Sequence, residues 1–169
     1  MELGDFTELA KAYINRPAYS VNIINAIISY GKIDESNACV ADVGAGTGKL
    51  TKVLLEHGLR VDAVEPNSEM LREGKEYTKG YVVNWSLGSG EETGLDSEHY
   101  DWVTMGSSFH WTDPVKSLPE FARILKSGGI FTAIWNPRNI SSSEFHTNIE
   151  NKIYEIAPNI KRFSSGGKT

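Results

Sequence analysis

Residues 40–51, VADVGAGTGKLT, run a short apolar strand through an acid, Asp42, into a loop of three alternating glycines. A strand that enters such a loop and leaves it through a helix opens an α/β unit that binds a nucleotide or a related cofactor. Three loops share this outline. A P-loop needs a glycine five positions before its glycine–lysine pair and a serine or threonine directly after it. Here Gly48–Lys49 has Val43 and Leu50 at those places, which argues against ATP or GTP hydrolysis. A dinucleotide fingerprint, G-x-G-x-x-G, closes on a glycine that lets the helix pack against the strand. Lys49 stands at that position, which weakens a nicotinamide or flavin cofactor and leaves it open.

The second acid in the pattern is Glu65, in VDAVEPNSEM (61–70), about twenty residues past the glycines. A carboxylate at the end of the second strand points into the crevice beside the loop and can accept hydrogen bonds from two vicinal ribose hydroxyls. Such charge-assisted bonds contribute on the order of 1.5–3 kcal/mol each.

Outward from these residues, hydrophobic periods alternate between strand and helix. Strands are predicted at 39–43, 60–65, 81–85, 100–105 and 130–135. Helices are predicted at 17–30, opened by Pro17 and stopped by Gly31; at 47–57, closed by His57–Gly58; at 67–76; at 114–125, capped by Asp113; and at 143–156. Residues 86–99 read as a loop and KSGG (126–129) as a turn. Strand and helix in alternation give a doubly wound parallel sheet with helices on both faces.

The chain has 169 residues, 40% hydrophobic and 23% charged, with a formal net charge of −5. That balance gives no basic footprint for nucleic acid, so a small molecule is the expected partner. No apolar stretch is long enough to span a bilayer and no secretory leader is evident, so a cytoplasmic location is expected. The single cysteine, Cys39, reads as a small core hydrophobe. The four histidines and one cysteine are scattered, so no metal site is expected.

With Asp42 before the glycines and Glu65–Pro66 after the second strand, the chain resembles the class I S-adenosylmethionine-dependent methyltransferases. Residues 88–139, GSGEETGLDSEHYDWVTMGSSFHWTDPVKSLPEFARILKSGGIFTAIWNPRN, and the upstream YINRPAY (13–19) are similar to the small-molecule branch known as methyltransferase type 11. The resemblance runs from about Ala10 to Asn139. It implies a Rossmann-like sheet in the order 3-2-1-4-5 and S-adenosylmethionine as cofactor, with S-adenosylhomocysteine as product. Residues 1–157 would form the cofactor-binding domain and 158–169 a flexible tail. Members of the branch continue past the fifth strand through another helix into an antiparallel strand pair, whereas this sequence stops after one further predicted helix, either as a fragment or as a minimal form without that pair. The fifth strand would then be an open edge, suited to a second copy or another partner.

By position, the resemblance sets the backbone of Gly44, Ala45 and Gly46 against the methionyl and ribose parts of the cofactor, where a Cβ would block approach. It gives Glu65 the ribose and brings Asn67 and Met70 near the adenine. Ser89, Gly90 and Glu91 stand where many relatives have an acid for the adenine amine. Gly106 would offer its carbonyl to the methionyl ammonium, while Tyr13 and Arg16 close over the carboxylate. His110, within Phe109–His110–Trp111, is the candidate general base or substrate donor; the alternative is that it orients its loop. The expected activity is methyl transfer to a small-molecule acceptor. A non-catalytic module of the same fold and, more distantly, a nicotinamide-linked enzyme are the other readings.

Overall fold

A computed structural model describes residues 10–13, 17–136 and 143–159. The chain divides into two compact units, 1–135 and 136–169. The first holds helices α1 (Ala10–Tyr13), α2 (Val21–Gly31), α3 (Lys49–Glu56), α4 (Ser68–Tyr77) and α5 (Pro114–Ile124). Its strands are β1 (Cys39–Val43), β2 (Arg60–Glu65), β3 (Val83–Leu87), β4 (Tyr100–Gly106) and β5 (Leu125–Ile134). They form one sheet in the order β3-β2-β1-β4-β5, and every neighbouring pair is parallel. The expected sheet order and doubly wound architecture are thus both present.

Period-2 alternation sends the strand side chains to two cores. Val40, Val61 and Trp102 pack with Ile24 and Ile28 of α2 and with Leu50, Val53 and Leu54 of α3. Ala41, Val43, Val103 and Met105 pack with Phe121 and Ile124 of α5. β3 reaches β4 through loop 88–99 without a helix. Arg123 of α5 pins that loop, donating to the Leu95 carbonyl and to Ser97 Oγ at 2.8 Å each. In the second unit, α6 (Glu144–Ile156) is capped by Ser143, whose Oγ accepts from the His146 N–H at 3.2 Å.

β1 and β2 begin and end where the sequence places them. Elsewhere the boundaries move for physical reasons. α2 starts at Val21, four residues past Pro17, and its left-handed cap is Lys32 (φ 51°), not Gly31. Tyr81 and Val82 lie outside β3 and are exposed, so their apolar character marks no strand. KSGG is no connecting turn. It lies within β5 as a bulge: β4 advances from Tyr100 to Trp102 while β5 advances from Leu125 to Ile130, and Gly128 takes φ +82°. His57 does close α3, with Nδ1 2.7 Å from the Val53 carbonyl and Nε2 3.0 Å from Asn25 Oδ1.

Gly74 of α4 lies beneath the Trp85 indole of β3, where a Cβ would overlap the ring. Trp85 is held in place: Nε1 donates to Thr78 Oγ1 at 3.1 Å, and that hydroxyl donates to the Gly74 carbonyl at 2.8 Å. Gly74→Ala improves helix propensity by about 0.5–1 kcal/mol but overpacks the contact by about 1–3 kcal/mol. Net destabilisation is the expected result in urea denaturation; a gain in stability would show that α4 slides freely on β3.

Candidate functional site

β1 and β4 are neighbours whose onward connections run to opposite sides of the sheet, so a crevice opens outside their carboxyl ends. The glycine loop forms one wall. Gly44 N and Ala45 N both donate to the Val64 carbonyl, at 2.8 and 3.0 Å, which ties the exit of β1 to β2. Gly44 (φ +68°) and Gly46 (φ +59°) take left-handed conformations that L-residues seldom adopt. A Cβ on Gly44 would stand 2.7 Å from Ser108 Cβ and Oγ, so glycine is also what lets the two exits meet.

Glu65, 6% exposed, closes the base of that wall. Its Oε2 accepts from Gly46 N at 2.8 Å and its Oε1 from Asn67 N at 3.0 Å. Burial raises its pKa, and the Asn67 and Gly46 amides oppose the rise. A carboxylate has about four lone-pair sites. The two amides take one on each oxygen and leave acceptor capacity for a ligand.

Behind the loop lies Asp42, fully buried at the end of β1. Its Oδ2 accepts from Thr51 Oγ1 at 2.6 Å, while Oδ1 has no hydrogen-bond partner. The hydroxyl of Thr47, in the loop itself and 1% exposed, is likewise unpartnered. Burial pushes the Asp42 pKa up to about 7; Thr51 opposes the rise and the charge of Glu65 adds to it. Buried polar atoms are nearly always paired, and an orphan at a site points to a role toward a water, an ion or a ligand. Two acids and two orphaned oxygens, with no cation among the described residues acting on either acid, fit a cofactor that brings polar groups and positive charge.

The other predicted residues divide into two groups. Met70 lies at the loop: its Cε is 3.4 Å from where a Cβ on Gly46 would be. Gly106 ends β4, and a Cβ there would meet Tyr19 Oη at 2.8 Å. Asn67 and Ser89 use their side-chain oxygens on neighbouring backbone, and Glu91 reaches the start of α5. Asn67 Oδ1 caps α4 through Glu69 N and Met70 N, both at 3.0 Å. Ser89 Oγ accepts from Glu91 N and Glu92 N, both at 3.2 Å.

Glu91 Oε1 accepts from Asp113 N at 2.7 Å and so joins loop 88–99 to the start of α5. Burial alone would raise its pKa, but the Asp113 amide, Ser89 and Lys116 together hold it below the usual range. Gly90 is buried against Thr112. Tyr13 is half-buried on α1, which lies beside α4. Arg16 falls outside the described residues.

His110 sits in a single 3-10 turn, Phe109–Trp111. Trp135 Nε1 donates to its Nδ1 at 3.3 Å, and partial burial lowers its pKa. With Nδ1 accepting, the neutral ring carries its proton on Nε2 and presents a donor.

Sequence reasoning passed over three residues on the opposite wall. Ser107 takes φ +56°, outside the usual range for a residue with a Cβ, and its N–H donates to the Ile134 carbonyl at 2.7 Å. Tyr19 OH donates to Ser107 Oγ at 3.0 Å, and Ser108 Oγ to the Val43 carbonyl at 3.1 Å. Tyr19 lay within the quoted YINRPAY, and a hydroxyl pair follows the glycine that ends β4, so both signals were present in the sequence.

The sequence profile of the family described as "Methyltransferase domain" matches residues 41–133, which span the loop, Glu65, β4 and β5. The chain belongs to the class I S-adenosylmethionine-dependent methyltransferases of type 11. It is similar to an uncharacterized methyltransferase of Mycobacterium tuberculosis, 44% identical over 100 residues that cover 59% of this chain and 40% of that protein. An uncharacterized methyltransferase of Schizosaccharomyces pombe is 32% identical over 136 residues, 80% of this chain and 53% of that one. The chain thus spans about half the length, or less, of these relatives. Among solved structures, a putative type II methyltransferase from Anaeromyxobacter dehalogenans shares the fold, with TM-score 0.68 at 22% identity over 83% of this chain and 57% of that one.

The methyltransferase fold carries Asp42 at a cost in stability that depends on pH. The folded chain keeps a proton on this carboxyl that the unfolded chain releases, between about pH 4 and about 7. This contribution is therefore greatest below pH 4, falls as pH rises through that interval and is level above it. Asp42→Asn removes the ionisation, so its melting temperature is expected to exceed the wild-type value by about 5 °C at pH 8. The gap narrows toward pH 5, and a gap independent of pH in thermal scans would contradict the assignment.

Proposed function

We propose that this methyltransferase domain binds S-adenosylmethionine across the β1–β4 crevice and serves methyl transfer to a small-molecule acceptor. The observation that carries the reading is the buried Glu65 carboxylate, bracketed by Gly46 and Asn67 with acceptor capacity left over. Glu65 would hold the ribose hydroxyls. Gly44, Ala45 and Gly46 would give the cofactor a wall without side-chain bulk, and Met70 would pack at its adenine side. When bound, the cofactor supplies an activated methyl on a positive sulfur.

The protein's part is then alignment and exclusion of water, for which proximity alone lowers a barrier by several kcal/mol. On the far side of the crevice, Ser107, Ser108 and Tyr19 supply hydroxyls, and His110 supplies an Nε2–H donor for an acceptor molecule. A donor there orients an acceptor and takes no proton from it. The net charge of −5 supports a small acceptor over a nucleic acid.

S-adenosylhomocysteine titrated by calorimetry into wild type and into Glu65→Ala tests the site without knowledge of the acceptor. Saturable binding by wild type, weakened about 100-fold in the variant, is the expected result for two lost charge-assisted bonds. Glu65→Gln keeps the packing if the alanine variant is unstable. No binding by a folded wild type would overturn the proposal.

A further inference from the structure

Asp42 and Glu65 are two buried carboxylates at adjacent strand ends, and among the described residues no cationic side chain offsets either. From β2, the charge acting on Asp42 is Glu65. From α3 it meets Thr51, and its register neighbour on β4 is the uncharged Thr104. The lysines of α3 point elsewhere: Lys49 and Lys52 hold their ammonium groups 4.6 and 4.7 Å from the centre of the Tyr77 ring. Glu65 has backbone donors on both oxygens, whereas Asp42 has one bonded oxygen and one orphan. Positive charge arriving from outside the protein favours the ionised form of a buried acid with an unpartnered oxygen.

We propose that Asp42 exchanges its proton for the positive charge of the ligand: it is protonated while the crevice is empty, ionises when a sulfonium compound enters, and so makes the site prefer the sulfonium to the corresponding thioether. The inference rests on S-adenosylmethionine being the ligand. The proton that leaves Asp42 goes to solvent, the net charge of the site is conserved, and no bond of the ligand changes. The pKa of about 7 places the exchange within the neutral range. Below it, the sulfonium ligand must displace a proton; above it, the carboxylate is already ionised and affinity is level. A thioether lacks the sulfur charge and draws out less of the proton, so it is held less tightly by this device. Asp42 is thereby a specificity-determining residue that separates substrate cofactor from spent cofactor.

The test is calorimetry of S-adenosylmethionine and of S-adenosylhomocysteine with the wild-type chain at pH 6.0 and 7.0, each in two buffers of different ionisation enthalpy. In this range the amine that both ligands share is already largely protonated, so protons released come from the protein. Wild type is expected to release close to one proton per S-adenosylmethionine at pH 6.0 and about half at pH 7.0, and distinctly less with S-adenosylhomocysteine. Affinity for the sulfonium should rise about fivefold over that pH unit. In Asp42→Asn the release disappears and the pH dependence flattens.

Equal release with the two ligands, no release by wild type, or release that persists in Asp42→Asn would each overturn the proposal. The wild-type measurement stands even if the variant fails to fold. Failure of wild type to bind either ligand at pH 8 would instead overturn the cofactor assignment.

Discussion

Each oxygen of the Glu65 carboxylate fixes a different element. One holds the Gly46 amide and with it the glycine loop after β1. The other holds the Asn67 amide, the residue whose own side chain starts α4. The ends of two strands, a loop and a helix start therefore meet on one buried acid. Ionised acids are rarely buried without a partner, and here the partners are backbone N–H groups, which cannot titrate or swing away. Gly44 has no room for a Cβ beside Ser108, and at Gly46 it is the left-handed φ that favours glycine.

That bracket explains why part of the sequence was easy to read. β1 and β2 are short, apolar and bounded by residues with fixed conformational meaning, and they appear residue for residue. Glu65 was placed correctly because its position at a strand end is set by chain geometry. The misplaced boundaries are those where tertiary contact overrides a local signal. Pro17 suits a helix start, yet the chain stays extended to Ser20, and Tyr19 within that stretch reaches Ser107. Tyr81 and Val82 look like strand and are turn and solvent. The glycines of KSGG look like punctuation, yet they are the extra residues of a bulge in the edge strand, tied down by Lys126 to Asp101 at 2.9 Å.

The site residues follow the same division. Glycines and acids are legible because few other residues can occupy their positions. Short polar side chains are not, since Asn and Ser compete for neighbouring backbone groups, and Asn67 and Ser89 do so here. Asp42 shows the converse. In the sequence it is only the acid that precedes the glycines, and what distinguishes it is an unpartnered oxygen, which no spacing rule reports.

The position of β1 at the centre of the sheet also has a consequence for the order in which the site comes together. Its pairing with β2 closes about 20 residues of chain, whereas its pairing with β4 closes about 60, a difference of about 1 kcal/mol in loop entropy. The half that holds the glycines and Glu65 is thus a local product of one strand–helix–strand unit. The half that holds Tyr19, Ser107 and Ser108 depends on long-range closure, so partial opening of the chain is expected to dissolve the serine wall while the acid bracket is still intact.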